Sequence, residues 1–199
     1  ARVSGFYIIV KRLLDIVGGL VGVTAFLLIL PFVGMAIWLE SGRPILFSQT
    51  RLGRGGKPFE MVKFRTMRQD AEADGQPKWA TEDDNRATRV GRFLRKTHLD
   101  ELPQVINVVR GEMSLVGPRA ERPELVKSLQ ETVPFYRARL LAKPGITGWA
   151  QINYGYAASV KATMIKLEHD LYYIKHRSLW LDLLILLRTP WTVLGFRGR

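Results

Sequence analysis

Asp100 and Glu101 are adjacent carboxylates at the head of a helix-periodic apolar run, Leu99, Leu102, Ile106 and Val109. At a helix N-terminus the positive end of the dipole favours ionised carboxylates. An ionised aspartate can act as a nucleophile toward phosphorus, and a neighbouring glutamate can hold a metal ion or accept a proton. Acidic residues in a first turn also occur for helix stability alone, so the pair by itself leaves both readings open.

Phe59 to Met67 reads as a strand. Its alternation places Lys63 and Arg65 on one face and Phe64 on the other. Two cations on a rigid strand suit a phosphate or diphosphate, although a solvated polar face has the same pattern. Gly117-Pro118-Arg119 adds a cation on a stiff turn, and Glu121 and Arg122 follow. The three histidines, His98, His169 and His176, are dispersed, so no His-rich metal motif forms. The absence of cysteine removes disulfides, thiolate zinc sites and cysteine nucleophiles. No G-x-S-x-G elbow is present.

These groups need a scaffold, and its dominant piece is N-terminal. Ile16 to Leu39 is 24 residues without a charge, with Pro31 inside. At about 1.5 Å per residue the run could just cross a hydrocarbon core of roughly 30 Å. Basic residues flank both sides: Lys11 and Arg12 before, Arg43, Arg51, Arg54 and Lys57 after. Basic flanks mark the cytoplasmic face. A helix that enters, bends at Pro31 and returns satisfies the charges, and a spanning helix with a tolerated proline fits the length equally well. Arg12 and Asp15, three residues apart, can pair on one helix face as an anchor at the headgroup level. A cleaved signal peptide does not fit so long a run. Ala1 in place of an initiator Met is what the C-terminal part of a longer protein would show.

Ile45 to Thr50 and Phe59 to Met67 are expected to form a hairpin across the glycine-rich residues Arg51 to Pro58, which lack the ending of a Walker loop. Gln69 to Arg86 reads as a surface loop, a candidate lid. Thr88 to Lys96 is expected as a charged helix, Leu99 to Val109 as a helix starting near Asp100, and Pro123 to Thr132 as another. Tyr136 to Leu141 is expected as a further turn of helix. Trp149 to Asn153 is read as a short strand after a turn-rich loop, and Val160 to His176 as a long helix. Leu179 to Gly195, with Trp180, Arg188, Pro190 and Trp191, is expected as an amphipathic interfacial helix, with Arg197 just beyond it. The fold class is therefore α+β, mostly helical, with one small hairpin.

The 199 residues suffice for one domain with a core plus a membrane segment. A net charge of +12 calls for a polyanionic partner, and the apolar run makes the membrane surface the leading one. Nucleic acid is disfavoured: no helix-turn-helix, RNP or zinc pattern occurs, and aromatics are not interleaved with the basic clusters.

Six co-linear motifs extend over nearly the whole chain. They are Lys11-Arg12-x-x-Asp15, Lys63-Phe64-Arg65-Thr66-Met67, Leu99-Asp100-Glu101-Leu102-Pro103-Gln104, Ser114-Leu115-Val116-Gly117-Pro118-Arg119, Lys143-Pro144-Gly145-Ile146-Thr147-Gly148-Trp149-Ala150-Gln151, and Asp170-Leu171-Tyr172-Tyr173. With them the chain resembles the bacterial sugar transferases, the monotopic phosphoglycosyl transferases of polyprenol-phosphate pathways. The resemblance implies a re-entrant helix-break-helix anchor over residues 1–40, broken at Pro31 and held by Arg12 and Asp15. A catalytic domain would fill residues 41–199 on the cytoplasmic face of the bacterial inner membrane. It implies that Asp100 attacks a UDP-sugar, that a polyprenol (undecaprenyl) phosphate takes the phosphosugar, and that Glu101 assists. Asp100 and Glu101 would hold Mg²⁺, while Lys63, Arg65, Arg119 and Arg122 neutralise phosphate charge. Two departures stand out: Leu30-Pro31 replaces a common Ser-Pro, and Gly117-Pro118-Arg119-Ala120 replaces Gly-Pro-Arg-Pro. Asn153-Tyr154-Gly155-Tyr156 resembles the exopolysaccharide branch. A non-catalytic scaffold of polysaccharide assembly is the alternative, and a homo-oligomer is compatible with the apolar C-terminal segment.

Overall fold

A computed structural model describes residues 4–68, 71, 85–154 and 160–194, with the side chains of 193 and 194 excepted. Most of the expected lid, Tyr156 of the exopolysaccharide-like motif, and Arg197 lie outside the described residues.

The first helix, α1, runs over Gly5–Ser41. Pro31 lies inside it, and helical assignment continues through the proline, where the sequence suggests a break. A proline removes one backbone donor and crowds one carbonyl. The residues around it are held by packing: Phe26, Leu30, Val33 and Ile37 join Phe64, Leu94 and Val105 in one core. Gly18, Gly19 and Gly22 bring α1 close to Leu115, Val109 and Val105, so the helix lies against the domain rather than apart from it.

Both ends of α1 are fastened to that same domain. At the start, Tyr7 and Lys11 each donate to Asp182 at 2.9 Å. Arg12 and Asp15 do not pair with each other, contrary to the sequence expectation. Arg12 donates to the carbonyls of Val108 and Val109, both at 2.8 Å, where a helix ends and leaves oxygens unbonded. Asp15, buried, accepts from Ser114 Oγ and the Leu115 amide, each at 2.9 Å. At the far end, Arg65 donates to the carbonyls of Ser41 and Gly42.

The expected hairpin forms: β1 (Leu46–Leu52) pairs antiparallel with β2 (Pro58–Phe64), Phe47 opposite Lys63. Next comes α2 (Arg89–Lys96), N-capped by Thr88. The expected helix over Leu99 to Val109 divides into a 3₁₀ stretch, Leu99–Gln104, and α3 (Val105–Arg110). Pro103 accounts for the division, because an α-turn would set its ring against the Leu99 carbonyl. A parallel pair that the sequence did not suggest, β3 (Ser114–Val116) with β4 (Gly145–Thr147), brings the Gly117 turn onto the Pro144-Gly145 turn. A Cβ on Gly117 would meet the Lys143 carbonyl, so this crossing requires glycine. Helix α4 spans Pro123–Thr132, and Tyr136–Leu141 is 3₁₀.

The expected strand at Trp149–Asn153 is a short helix, α5, because Trp149 and Ile152 must both face the Tyr173–Ile185 core, which a helical spacing allows and a strand does not. Helices α6 (Val160–His176) and α7 (Leu179–Leu194, with Pro190 inside) complete the chain. Their core is Tyr173, Leu181 and Ile185 with Val116. The described chain is thus mostly helical, with a long apolar N-terminal helix and a small antiparallel sheet.

Gly91 offers a test of this packing. Helix propensity alone favours alanine there by about 1 kcal/mol. A Cβ at Gly91, however, would collide with the backbone of Thr66. Gly91→Ala is expected to lose about 1–3 kcal/mol, read as a lowered thermal midpoint; a gain in stability would refute the close approach of α2 to Thr66.

Candidate active site

The face of β2 that carries Phe59 and Met61 also carries Lys63, and the 3₁₀ stretch bearing Asp100 and Glu101 packs against that strand. His98, at φ 56, turns the chain from α2 into this stretch through the left-handed region, which histidine enters more readily than most residues. The turn matters because it places two carboxylates inward. Asp100 and Glu101 are 4% and 6% exposed. A carboxylate at a helix start would ordinarily lie at the surface; the packing of β2 over the 3₁₀ stretch makes this one buried.

Glu101 is the centre of a three-residue clamp. Its Oε1 accepts from Lys63 Nζ at 2.9 Å and from Arg119 Nη2 at 2.6 Å, and its Oε2 accepts from Arg119 Nη1 at 3.3 Å. Burial alone would raise the pKa of Glu101. Arg119 and Lys63 more than offset it, holding the carboxyl well below its usual range. Glu101 in turn raises the pKa of Arg119. Lys63 is pushed below the usual lysine range by burial, with Glu101 opposing the shift and Arg119 adding to it. Asp100 acts on both cations in the same sense as Glu101.

The loop that presents Arg119 is itself pinned. Arg139 donates from Nη2 to the Arg119 carbonyl at 2.9 Å and from Nη1 to Tyr136 Oη at 2.8 Å. The same Nη2 lies 2.8 Å from Asp170 Oδ2 on α6. Arg139 is 7% exposed and Asp170 2%. Removing Asp170 leaves Arg139 with Glu121, 3.5 Å from Nη1, as its remaining counter-charge. Asp170→Asn is therefore expected to cost about 1–3 kcal/mol, measured by denaturant unfolding in micelles. An unchanged midpoint would show that the pair contributes nothing net.

Lys63, Glu101 and Arg119 thus meet, with Asp100 adjacent. Arg65 goes elsewhere, to the C-terminal carbonyls of α1. Arg122 opens α4, with Nε 3.6 Å from Glu124 Oε2. Three residues not singled out in the sequence belong to the neighbourhood. Arg51 reaches the Ala120 carbonyl at 3.1 Å. Gln104, 3% exposed, lines the same small cavity as Arg51, Lys63 and Arg119. Arg139 holds the Arg119 loop. Gln104 was detectable, since residues three apart share a face in a 3₁₀ helix and Gln104 follows Glu101 by three. Nothing local marks Arg139 as a support of the site, because the two groups it ties together, the Arg119 carbonyl and Asp170, are 20 and 31 residues away.

The donor set can be weighed against Mg²⁺. Among the described residues no three His, Cys, Asp or Glu side chains group together. Mg²⁺ rarely uses an all-protein cage, taking one or two carboxylates with phosphate oxygens and water. Asp100 and Glu101 offer the two carboxylates such a site would use, with Glu101 already accepting from Lys63 and Arg119.

A family model described as "Bacterial sugar transferase" matches residues 6–196. An Aeromonas hydrophila protein, UDP-N-acetylgalactosamine-undecaprenyl-phosphate N-acetylgalactosaminephosphotransferase, is 45% identical over 98% of this chain and 46% of its own length. UDP-glucose:undecaprenyl-phosphate glucose-1-phosphate transferase of Caulobacter vibrioides is 44% identical over 90% of this chain and 67% of its own length. The Escherichia coli K12 protein of the same description is 42% identical over 94% of this chain and 40% of its own. The chain therefore spans less than half of two of these relatives.

Proposed function

Because the chain belongs to the bacterial sugar transferase family, we propose that it moves a sugar 1-phosphate from a UDP-sugar to a polyprenol phosphate, undecaprenyl phosphate in bacteria. The observation that carries this reading is the clamp of Lys63 and Arg119 on the buried Glu101, beside Asp100. Phosphoryl transfer asks for positioning and charge neutralisation, and a fixed pair of cations next to a carboxylate supplies both.

In the first step an Asp100 carboxylate oxygen attacks the β-phosphorus of the donor. A phosphorus–oxygen bond forms, the bond to the bridging oxygen breaks, and UMP leaves with that oxygen. In the second step an oxygen of the polyprenol phosphate attacks the same phosphorus. Asp100 leaves as a carboxylate, and the product is polyprenol diphosphate sugar. Lys63 and Arg119 balance the charge that develops on the phosphoryl oxygens. Glu101 keeps those two cations at their stations between substrates. Arg122 would serve as an outer phosphate contact, and Arg65 would act through the anchor to which it is bonded. Mg²⁺, held by Asp100 and Glu101 with donor phosphate oxygens, would supply further neutralisation.

Residues 1–40 form the membrane anchor in this reading, and 41–199 the catalytic domain on the cytoplasmic face of the bacterial inner membrane. Bonds tie both ends of α1 to the same domain, and re-entry through one face would add a bend at Pro31. Apart from Thr24, the outward side of α1 is apolar up to Glu40, including Val17, Val21, Leu28, Phe32 and Leu39. Exposed Trp180, Leu183, Leu187 and Trp191 form one stripe on α7, suited to the interface. A homo-oligomer and a role in exopolysaccharide synthesis are further parts of the reading.

The test is intact-protein mass spectrometry after incubation with Mg²⁺ and a panel of UDP-sugars, without lipid acceptor. A gain of one sugar phosphate is expected, discharged on adding polyprenol phosphate. If no adduct appears and no UMP is released when polyprenol phosphate is present, the scaffold reading replaces this one.

A further inference from the structure

Helix α2 presents Arg89, Arg92, Phe93 and Lys96 to solvent, while Gly91 and Leu94 are buried. The exposed positions follow the spacing i, i+3, i+4 and i+7, one continuous helix face. Three cations surround a phenylalanine that is 60% exposed, and no acidic residue occurs within the helix. An aromatic flanked by cations on one helix face is the composition of a helix that lies at a membrane interface.

The position of α2 identifies what covers it. Glu40, near the end of α1, accepts from the backbone amides of Arg89 and Val90 at 2.7 and 2.8 Å. Thus α2 starts where the exposed apolar face of α1 finishes, at Phe32, Met35, Trp38 and Leu39. The basic-aromatic helix thus begins beside an apolar surface that has the character of a bilayer contact. A ring of cations about one aromatic complements phosphate headgroups above acyl chains.

We propose that this face of α2 is a docking site for anionic phospholipid headgroups, with Phe93 inserted at the headgroup boundary. The proposal rests on the membrane placement of α1 given above. It extends that placement, because it makes seating of the domain depend on lipid charge. The 3₁₀ stretch carrying Asp100 follows α2 directly, so a seated α2 also fixes the depth of the carboxylates. Each cation near an anionic surface is worth about 1 kcal/mol, or about fivefold in the seated-to-unseated ratio.

The absence of cysteine permits a clean test with the full chain. Phe93→Cys, labelled with an apolar environment-sensitive fluorophore, is placed in nanodiscs of phosphatidylcholine alone or mixed with phosphatidylglycerol. Emission is expected to shift to the blue only in the anionic discs. The shift should fade as salt rises toward 0.5 M and should be reduced in an Arg89→Gln, Arg92→Gln background. A water-like probe in both discs would overturn the proposal. An equal blue shift in both would also overturn it, showing burial without recognition of charge. Sugar-phosphate transfer is assayed in the same discs with an unlabelled chain. Full turnover with a water-like probe would sink this inference alone, whereas absent turnover with a blue-shifted probe would sink the transferase reading alone.

Discussion

Asp100→Asn is expected to form no sugar-phosphate adduct and to lose turnover by about 10⁴-fold, with its melting midpoint close to that of the parent chain. The size follows from removing the attacking atom, since loss of a nucleophile leaves only the binding and electrostatic contributions. The retained fold follows from shape. Asp100 is 4% exposed, so a larger or smaller side chain would disturb the packing under β2, but asparagine keeps its outline. Asp100→Ala is a weaker probe, because it would open a cavity and confuse lost chemistry with lost structure. Intact mass and UMP release measure the first part, and a thermal melt the second. Turnover within tenfold of the parent would mean that another group attacks the phosphorus.

Glu101→Gln is expected to reduce both activity and stability, for one reason. Its two oxygens carry the bonds from Lys63 and Arg119, and the charge they share is buried. The amide weakens the hold on a mostly buried Lys63 and on an Arg119 whose side chain is 43% exposed, with Asp100 remaining as a counter-charge. A loss of about 1–3 kcal/mol follows from leaving charged donors imperfectly paired. The cations would repel and separate, which removes charge stabilisation worth about 10²–10³ in rate. The stability loss should also depend on pH in a definite direction. The carboxyl of Glu101 sits well below its unfolded value in the folded chain. Its contribution is then complete above an unfolded pKa of about 4.3 and declines as pH falls toward the folded pKa. The gap between parent and Glu101→Gln midpoints should be constant near neutrality and narrow in strong acid. A gap that widened on acidification would contradict the depressed pKa.

Some of these parts were readable along the chain because they depend on neighbours in sequence. The hairpin needed only alternating residues and a glycine-rich turn, and β1 and β2 form where those signals lie. Helices α4 and α6 match their expected limits because proline at a first turn and apolar spacing are local matters. Asp100 and Glu101 stood out because two carboxylates began an apolar run. The family pattern then brought Lys63 and Arg119 to the same phosphate, and the clamp unites them.

Other parts had no local signal. Arg65 shares the expected strand alternation with Lys63, yet it binds the end of α1, because the open carbonyls of a helix C-terminus lie within its reach. Arg12 and Asp15 have the spacing of a surface pair, but burial against α3 and β3 offers each better partners. Trp149 to Asn153 has strand-like residues, and the α6–α7 core makes it helical. Arg139 and Asp170 meet across 31 positions.

The sequence by itself determined the long apolar helix, the hairpin, the family and the pair of acidic residues, since each rests on composition, period or motif. Only the tertiary structure decided which cations face Glu101, that Asp100 is buried, and that both ends of α1 are tied to one domain. These depend on which groups are left without water when distant segments pack, and each buried charge or open carbonyl then takes the partner that packing brings within reach.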